Sequence, residues 1–162
     1  SRGLELAAGR AILWRDRRLE DSVRAVLRTN PHGGGAVLWE IVTNSRDLDA
    51  SERFVRSQLA AGVDPAAAHV MLAYLHAARG RFAAAFATLD TAAGLREPEA
   101  VVHAGALALH PLAPVPAARL VATRARVAAL PASDAIVPGL APPGARDYLV
   151  GALALATGDT AE

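Results

Sequence analysis

Thirty-four residues separate Leu48 from Phe82, Ser51 from Ala85, Val55 from Leu89 and Gln58 from Ala92. Within each set the spacing is helical, so its four members share one face. Each set also stands ahead of an acidic residue and a proline, Asp64-Pro65 and Glu97-Pro98. Proline suits the first position of a helix, where its missing N–H is not needed. A helix-turn-helix unit that recurs at a fixed period constrains the fold severely, because each unit has an apolar face that only a neighbouring unit can cover. Ala85 and Ala92 lie on that face, where an ordinary core would hold larger side chains. Small residues at fixed helical positions predict that another helix comes very close.

Short Gly, Pro and Asp breaks divide the chain into helices expected at about 3–16, 19–29, 34–45, 49–61, 66–79, 83–94, 99–110, 116–130 and 145–157. Alanine, the strongest helix former, is abundant, and β-branched residues do not form alternating runs. The fold class expected is all-α. At 162 residues the chain fits one domain. The absence of cysteine excludes disulfides and thiolate metal sites. A formal net charge of +1 argues against a nucleic-acid surface. Arg10, Arg15, Arg17, Arg18, Arg24 and Arg28 are interleaved with Glu5, Asp16, Glu20 and Asp21, the pattern of a solvated helix face. Apolar stretches are broken by His103, His110 and prolines short of the ~20 residues a membrane span needs, so no membrane role is expected. No signal peptide is recognised, which points to the cytoplasm. Ser1 at the start and Met71 as the sole methionine suggest a piece of a longer protein.

The 34-residue period, together with Leu72-Ala73, Gly80, Phe82, Ala85, Leu89, Ala92 and Pro98, resembles the tetratricopeptide repeat. Val150-Gly151 and Gly158-Asp159 resemble the Leu-Gly pair and the turn of a further repeat. The resemblance implies a right-handed superhelical solenoid of stacked antiparallel helix pairs, about four to five of them, some degenerate. The repeats would span 2–31, 32–65, 66–97 and 98–131, followed by a Pro/Gly-rich connector at 132–143 and a truncated repeat at 144–162. Trp39 and Arg46 depart from the pattern in the second repeat, and the three prolines from Pro111 to Pro116 depart from it in the fourth. Ala73, Ala85 and Ala92 would let paired helices approach, as would Gly151 in the last repeat.

Catalytic and metal-binding arrangements fare poorly. His69 and His76 are seven residues apart, as are His103 and His110, two helical turns in each case and too far to share one metal ion unaided. Glu99 and His103 have a usable i,i+4 spacing, but no second pair completes a site. The six serines stand in no recognisable order with histidine, and Gly33-Gly34-Gly35 lacks the lysine and hydroxyl of a phosphate loop. No catalytic residue, metal or cofactor is expected, and the chain reads as a non-enzyme.

The groove of the implied solenoid is the remaining candidate. The family's inward positions fall on Arg10, Leu13 and Trp14, on Ala36, Glu40, Thr43 and Asn44, on Val70, Tyr74, Ala77 and Ala78, and on Tyr148 and Ala152. Of these, Arg10, Trp14, Glu40, Asn44, Tyr74, Ala78 and Tyr148 are the expected peptide-binding residues. Trp and Tyr in a concavity suit an apolar anchor with one hydrogen-bonding group. The expected function is a non-catalytic scaffold that binds a protein or peptide partner. The alternative is a regulatory or sensor module of a larger bacterial signalling protein, a kinase or transcriptional activator, holding a small ligand or an intramolecular segment.

Overall fold

A computed structural model describes residues 47–62, 65–95, 98–131 and 144–159, together with helical residues Arg18, Leu19, Asp21, Ser22, Ala25 and Val26. The expected helices at 3–16 and 34–45 lie outside the described residues, as do most of 19–29 and the connector. Six helices are complete: α1 (Leu48–Ala60), α2 (Pro65–Ala78), α3 (Phe82–Gly94), α4 (Pro98–Ala108), α5 (Ala117–Ala128) and α6 (Ala145–Ala156). Among the described residues there is no strand, so the all-α expectation holds there.

Local chemistry accounts for the helix ends. The Asp47 side chain caps α1 by accepting from the Ala50 N–H at 2.8 Å, beside Asp49 in the first turn. Proline opens α2 and α4 at their first position, and Pro116 stands one residue before α5. Gly80 ends α2 at φ +70°, in the left-handed region. Its N–H donates to the Ala77 carbonyl (2.9 Å) and the Arg81 N–H to the His76 carbonyl (2.8 Å). That pair of bonds is the Schellman motif, which satisfies carbonyls left open at a helix end.

Each helix packs on the next, and α4 also packs on α6. The 34-residue recurrence reappears as burial. Ser51, Val55 and Gln58 on α1 are buried, and so are their counterparts Ala85, Leu89 and Ala92 on α3. Ala85 and Ala92 are 0% exposed, and with Val70, Ala73, Leu89, Ala100 and Ala104 they form one apolar cluster across α2, α3 and α4. A second cluster joins Val55 to Ala68, Met71, Leu72 and Leu75 between α1 and α2. A third sets Leu149 and Leu153 of α6 against Val101, Ala108 and Val127. Gly105 is the close-approach glycine there. A Cβ on it would lie 3.2 Å from both Leu149 Cδ1 and Val127 Cγ2.

Gly151 corrects the expectation of a second tight contact. It is exposed, and a Cβ built on it would meet nothing within 4 Å. The reason is that α6 faces α4 and α5 through Leu149 and Leu153, which leaves the Gly151 side uncovered.

Ion pairs tie helices that are distant in sequence. Arg79 at the end of α2 reaches back to Glu52 (2.6 Å) and Asp49 (2.5 Å) on α1. Asp90 on α3 accepts from Arg119 (2.8 Å) and Arg126 (2.6 Å) on α5. The Arg119 guanidinium also lies 4.5 Å above the Phe86 ring, a cation–π contact.

Candidate apolar groove between the second and fourth helices

α2 and α4 flank a cleft to which α3 contributes Phe82 and Leu89. Proline at the head of both helices sets their register, and small side chains along α2 keep the space open. The resulting cavity of about 310 Å³ is lined by Ala73, Ala77 and Ala78 below, with Phe82, Leu89 and Leu107 among its larger apolar walls. Four rings stand around it. Tyr74, 40% exposed, meets His103 edge to face with centroids 5.7 Å apart. The His110 ring lies 5.7 Å from that of Phe82.

The polar groups are few and partly committed. His103 Nε2 pairs with Glu99 Oε1 at 3.3 Å, one turn earlier on α4. His110 Nδ1 accepts from the Leu112 N–H at 3.2 Å, so a neutral ring carries its hydrogen on Nε2 as a donor. Arg79, just beyond the end of α2, is engaged by Glu52 and Asp49. Such a lining can hold an uncharged apolar or aromatic group and offer it one or two hydrogen bonds.

Of the sequence-predicted site residues, Tyr74 and Ala78 line this groove together, with Ala77 beside them. Arg10, Trp14, Glu40 and Asn44 lie outside the described residues. Tyr148 is 72% exposed on α6 and is not among the residues that line this groove. Val70, expected inward, is buried to 3% in the seam with α3. Sequence reasoning missed His103, Leu107 and His110 as lining residues. A signal was present: Pro98 follows Pro65 by 33 residues, and the same step carries Val70 to His103 and Ala77 to His110.

A second polar cluster lies on the α1 side of α2. The Arg56 hydrogen bond (2.9 Å) holds the Glu52 carboxyl below its usual range, helped by the Arg56 and Arg79 charges and opposed by burial. Burial lowers the His76 pKa, against the pull of Glu52, and His76 Nδ1 is buried without a hydrogen-bond partner among the described residues. On α3, burial pushes the Asp90 carboxyl up, but the hydrogen bonds and charges of Arg126 and Arg119 outweigh it and leave it low. Among the described residues, no three His, Asp or Glu side chains group as metal ligands would, and no helix is long and apolar enough to cross a membrane. Comparison with protein-family models, with curated proteins and with solved structures found no significant match.

Proposed function

We propose that the helices stack as successive antiparallel hairpins of the tetratricopeptide kind, forming a right-handed solenoid, and that the chain binds a peptide without catalysing a reaction. Three observations support the stacking. Residues 34 apart on α1 and α3 share their burial, successive helices pack in order, and contacts skip one helix, as between Tyr74 and His103 or Asp90 and Arg119.

The observation that carries the binding role is the groove beside Tyr74. Its volume of about 310 Å³ sits at the bottom of the roughly 300–1,000 Å³ range of small-molecule pockets, and it is about half open to solvent. That size fits one or two anchor side chains of a longer ligand better than a wholly buried cofactor. Apolar walls with Tyr74 and His110 at the rim select an aliphatic or aromatic anchor whose backbone takes hydrogen bonds from the rim. The test is selection of displayed peptides on the chain, followed by titration of the best binder. Tyr74→Ala should weaken it by more than ~1 kcal/mol, and Ala78→Leu, which fills the groove, should weaken it as well. Arg126→Ala, on α5 outside the lining, should leave it unchanged. Equal binding by all three variants would remove the groove as the site.

A further inference from the structure

A second cavity, of about 510 Å³, lies between α3 and α5 and shares no lining residue with the groove. Arg119, Thr123 and Arg126 follow one another along α5 at helical spacing and so share one face of it. α3 supplies Asp90 and, one turn on, Gly94, where a Cβ would meet nothing within 4 Å. With Ala122 as its neighbour in the lining, Gly94 keeps the space between the two helices clear of long side chains.

Asp90 does not use up the two arginines. Its Oδ2 accepts from Arg119 Nη2 (2.8 Å) and its Oδ1 from Arg126 Nη1 (2.6 Å). Each guanidinium thus meets Asp90 through a single nitrogen, which leaves on both the paired N–H groups by which arginine grips an oxyanion. The Arg119 guanidinium rests over the Phe86 ring, a contact that steadies it without consuming an N–H. Thr123 is 4% exposed, yet its hydroxyl makes no hydrogen bond among the described residues. A buried hydroxyl in that state costs stability that a valine would not. A position that served only the packing of α5 has no use for it.

Charge selects the ligand. Two guanidinium groups against one carboxylate leave the lining with a single surplus positive charge. A carboxylate matches that surplus and presents its two oxygens in one plane, as the arginine fork requires. A phosphate monoester carries about −1.5 to −2 charges near neutral pH and would set an uncompensated negative charge against Asp90. We propose that this cavity binds the carboxylate of a ligand, gripped by Arg119 and Arg126 and accepting a hydrogen bond from the Thr123 hydroxyl. Asp90 holds the two arginines in place and sets the charge that the site accepts. Neither peptide binding in the groove nor the stacking of hairpins is needed for it.

The test titrates sodium acetate into the chain at constant ionic strength, with sodium chloride making up the balance, and follows nuclear magnetic resonance shifts. The Thr123 and Gly94 amides and the Arg119 and Arg126 Nε–H signals should shift along saturable curves with a millimolar Kd. Inorganic phosphate should bind about threefold more weakly or worse. Arg119→Gln and Arg126→Gln should each abolish saturation. Thr123→Val should weaken acetate about twofold or more without lowering the melting temperature, which a merely structural hydroxyl would not allow. Asp90→Asn should raise the affinity for phosphate relative to acetate about threefold or more, a gain that misfolding cannot produce. A blocked glutamate-containing tripeptide that binds more tightly than acetate assigns the carboxylate to a peptide side chain, and tighter binding of propionate or benzoate assigns it to a free small acid. Shifts that grow linearly with acetate, that persist in both glutamine variants, or that are matched by phosphate in the wild type would overturn the proposal.

Discussion

Replacing Ala85 by leucine asks whether the seam between α2, α3 and α4 is closed. Ala85 is 0% exposed and belongs to the cluster of Val70, Ala73, Leu89, Ala92, Ala100 and Ala104, five of whose seven side chains are alanine. Leucine adds three carbons. If space existed, burying them would stabilise the fold by about 2.4 kcal/mol, at ~0.8 kcal/mol per methylene. In a closed seam the added atoms must displace backbone or force strained rotamers, which costs ~1–3 kcal/mol. The two cases therefore differ in sign. For a chain of this size about 1 kcal/mol moves the melting temperature by roughly 2–4 °C, so a fall of roughly 2–12 °C is expected. Urea and thermal unfolding followed by circular dichroism measure it. Ala87→Leu, exposed on the same helix, controls for helix propensity and should change little. A stabilised Ala85→Leu, or one matching Ala87→Leu, would refute close helix approach at this position.

Two further outcomes follow from particular groups. Gly80→Ala places a Cβ at φ +70° and should cost about 1–2 kcal/mol in urea unfolding, with Gly80→Asn costing less. His76 has a folded-state pKa below its ordinary 6.5, so the unfolded chain binds more protons there. Its contribution is complete above about pH 6.5 and is lost as pH falls toward the folded-state value, a window above that in which Glu52 and Asp90 titrate. Urea midpoints measured from about pH 8 to about pH 5 should therefore slope downward in the wild type and flatten in His76→Leu.

The helices were legible because their punctuation is local. Asp47, Pro65, Gly80 and Pro98 each act on their own turn, so expected ends at 49–61, 66–79 and 83–94 fall within a residue of α1, α2 and α3. The close seam was legible too, since Ala85 and Ala92 recur at the positions of Ser51 and Gln58. Periodicity names an apolar face but not the neighbour that covers it. That is why Val70 turned out to belong to the α3 seam and Gly151 to an open face. Long-range pairing has no local trace either: nothing near Asp90 announces Arg119 or Arg126, 29 and 36 residues away. In the groove, Tyr74 and Ala78 were reached through the inward positions that the repeat resemblance implies, whereas His103 and His110 required knowing that α4 lies beside α2.

The groove is tested most directly by photo-crosslinking. Ala106 is exposed and lines the cavity, while Ala125 is exposed on α5 and does not. A photoreactive benzoylphenylalanine at position 106, irradiated with the best selected peptide, should attach to that peptide at or beside its apolar anchor, with position 125 giving no product. Crosslinking from 125 with none from 106 would contradict binding between α2 and α4.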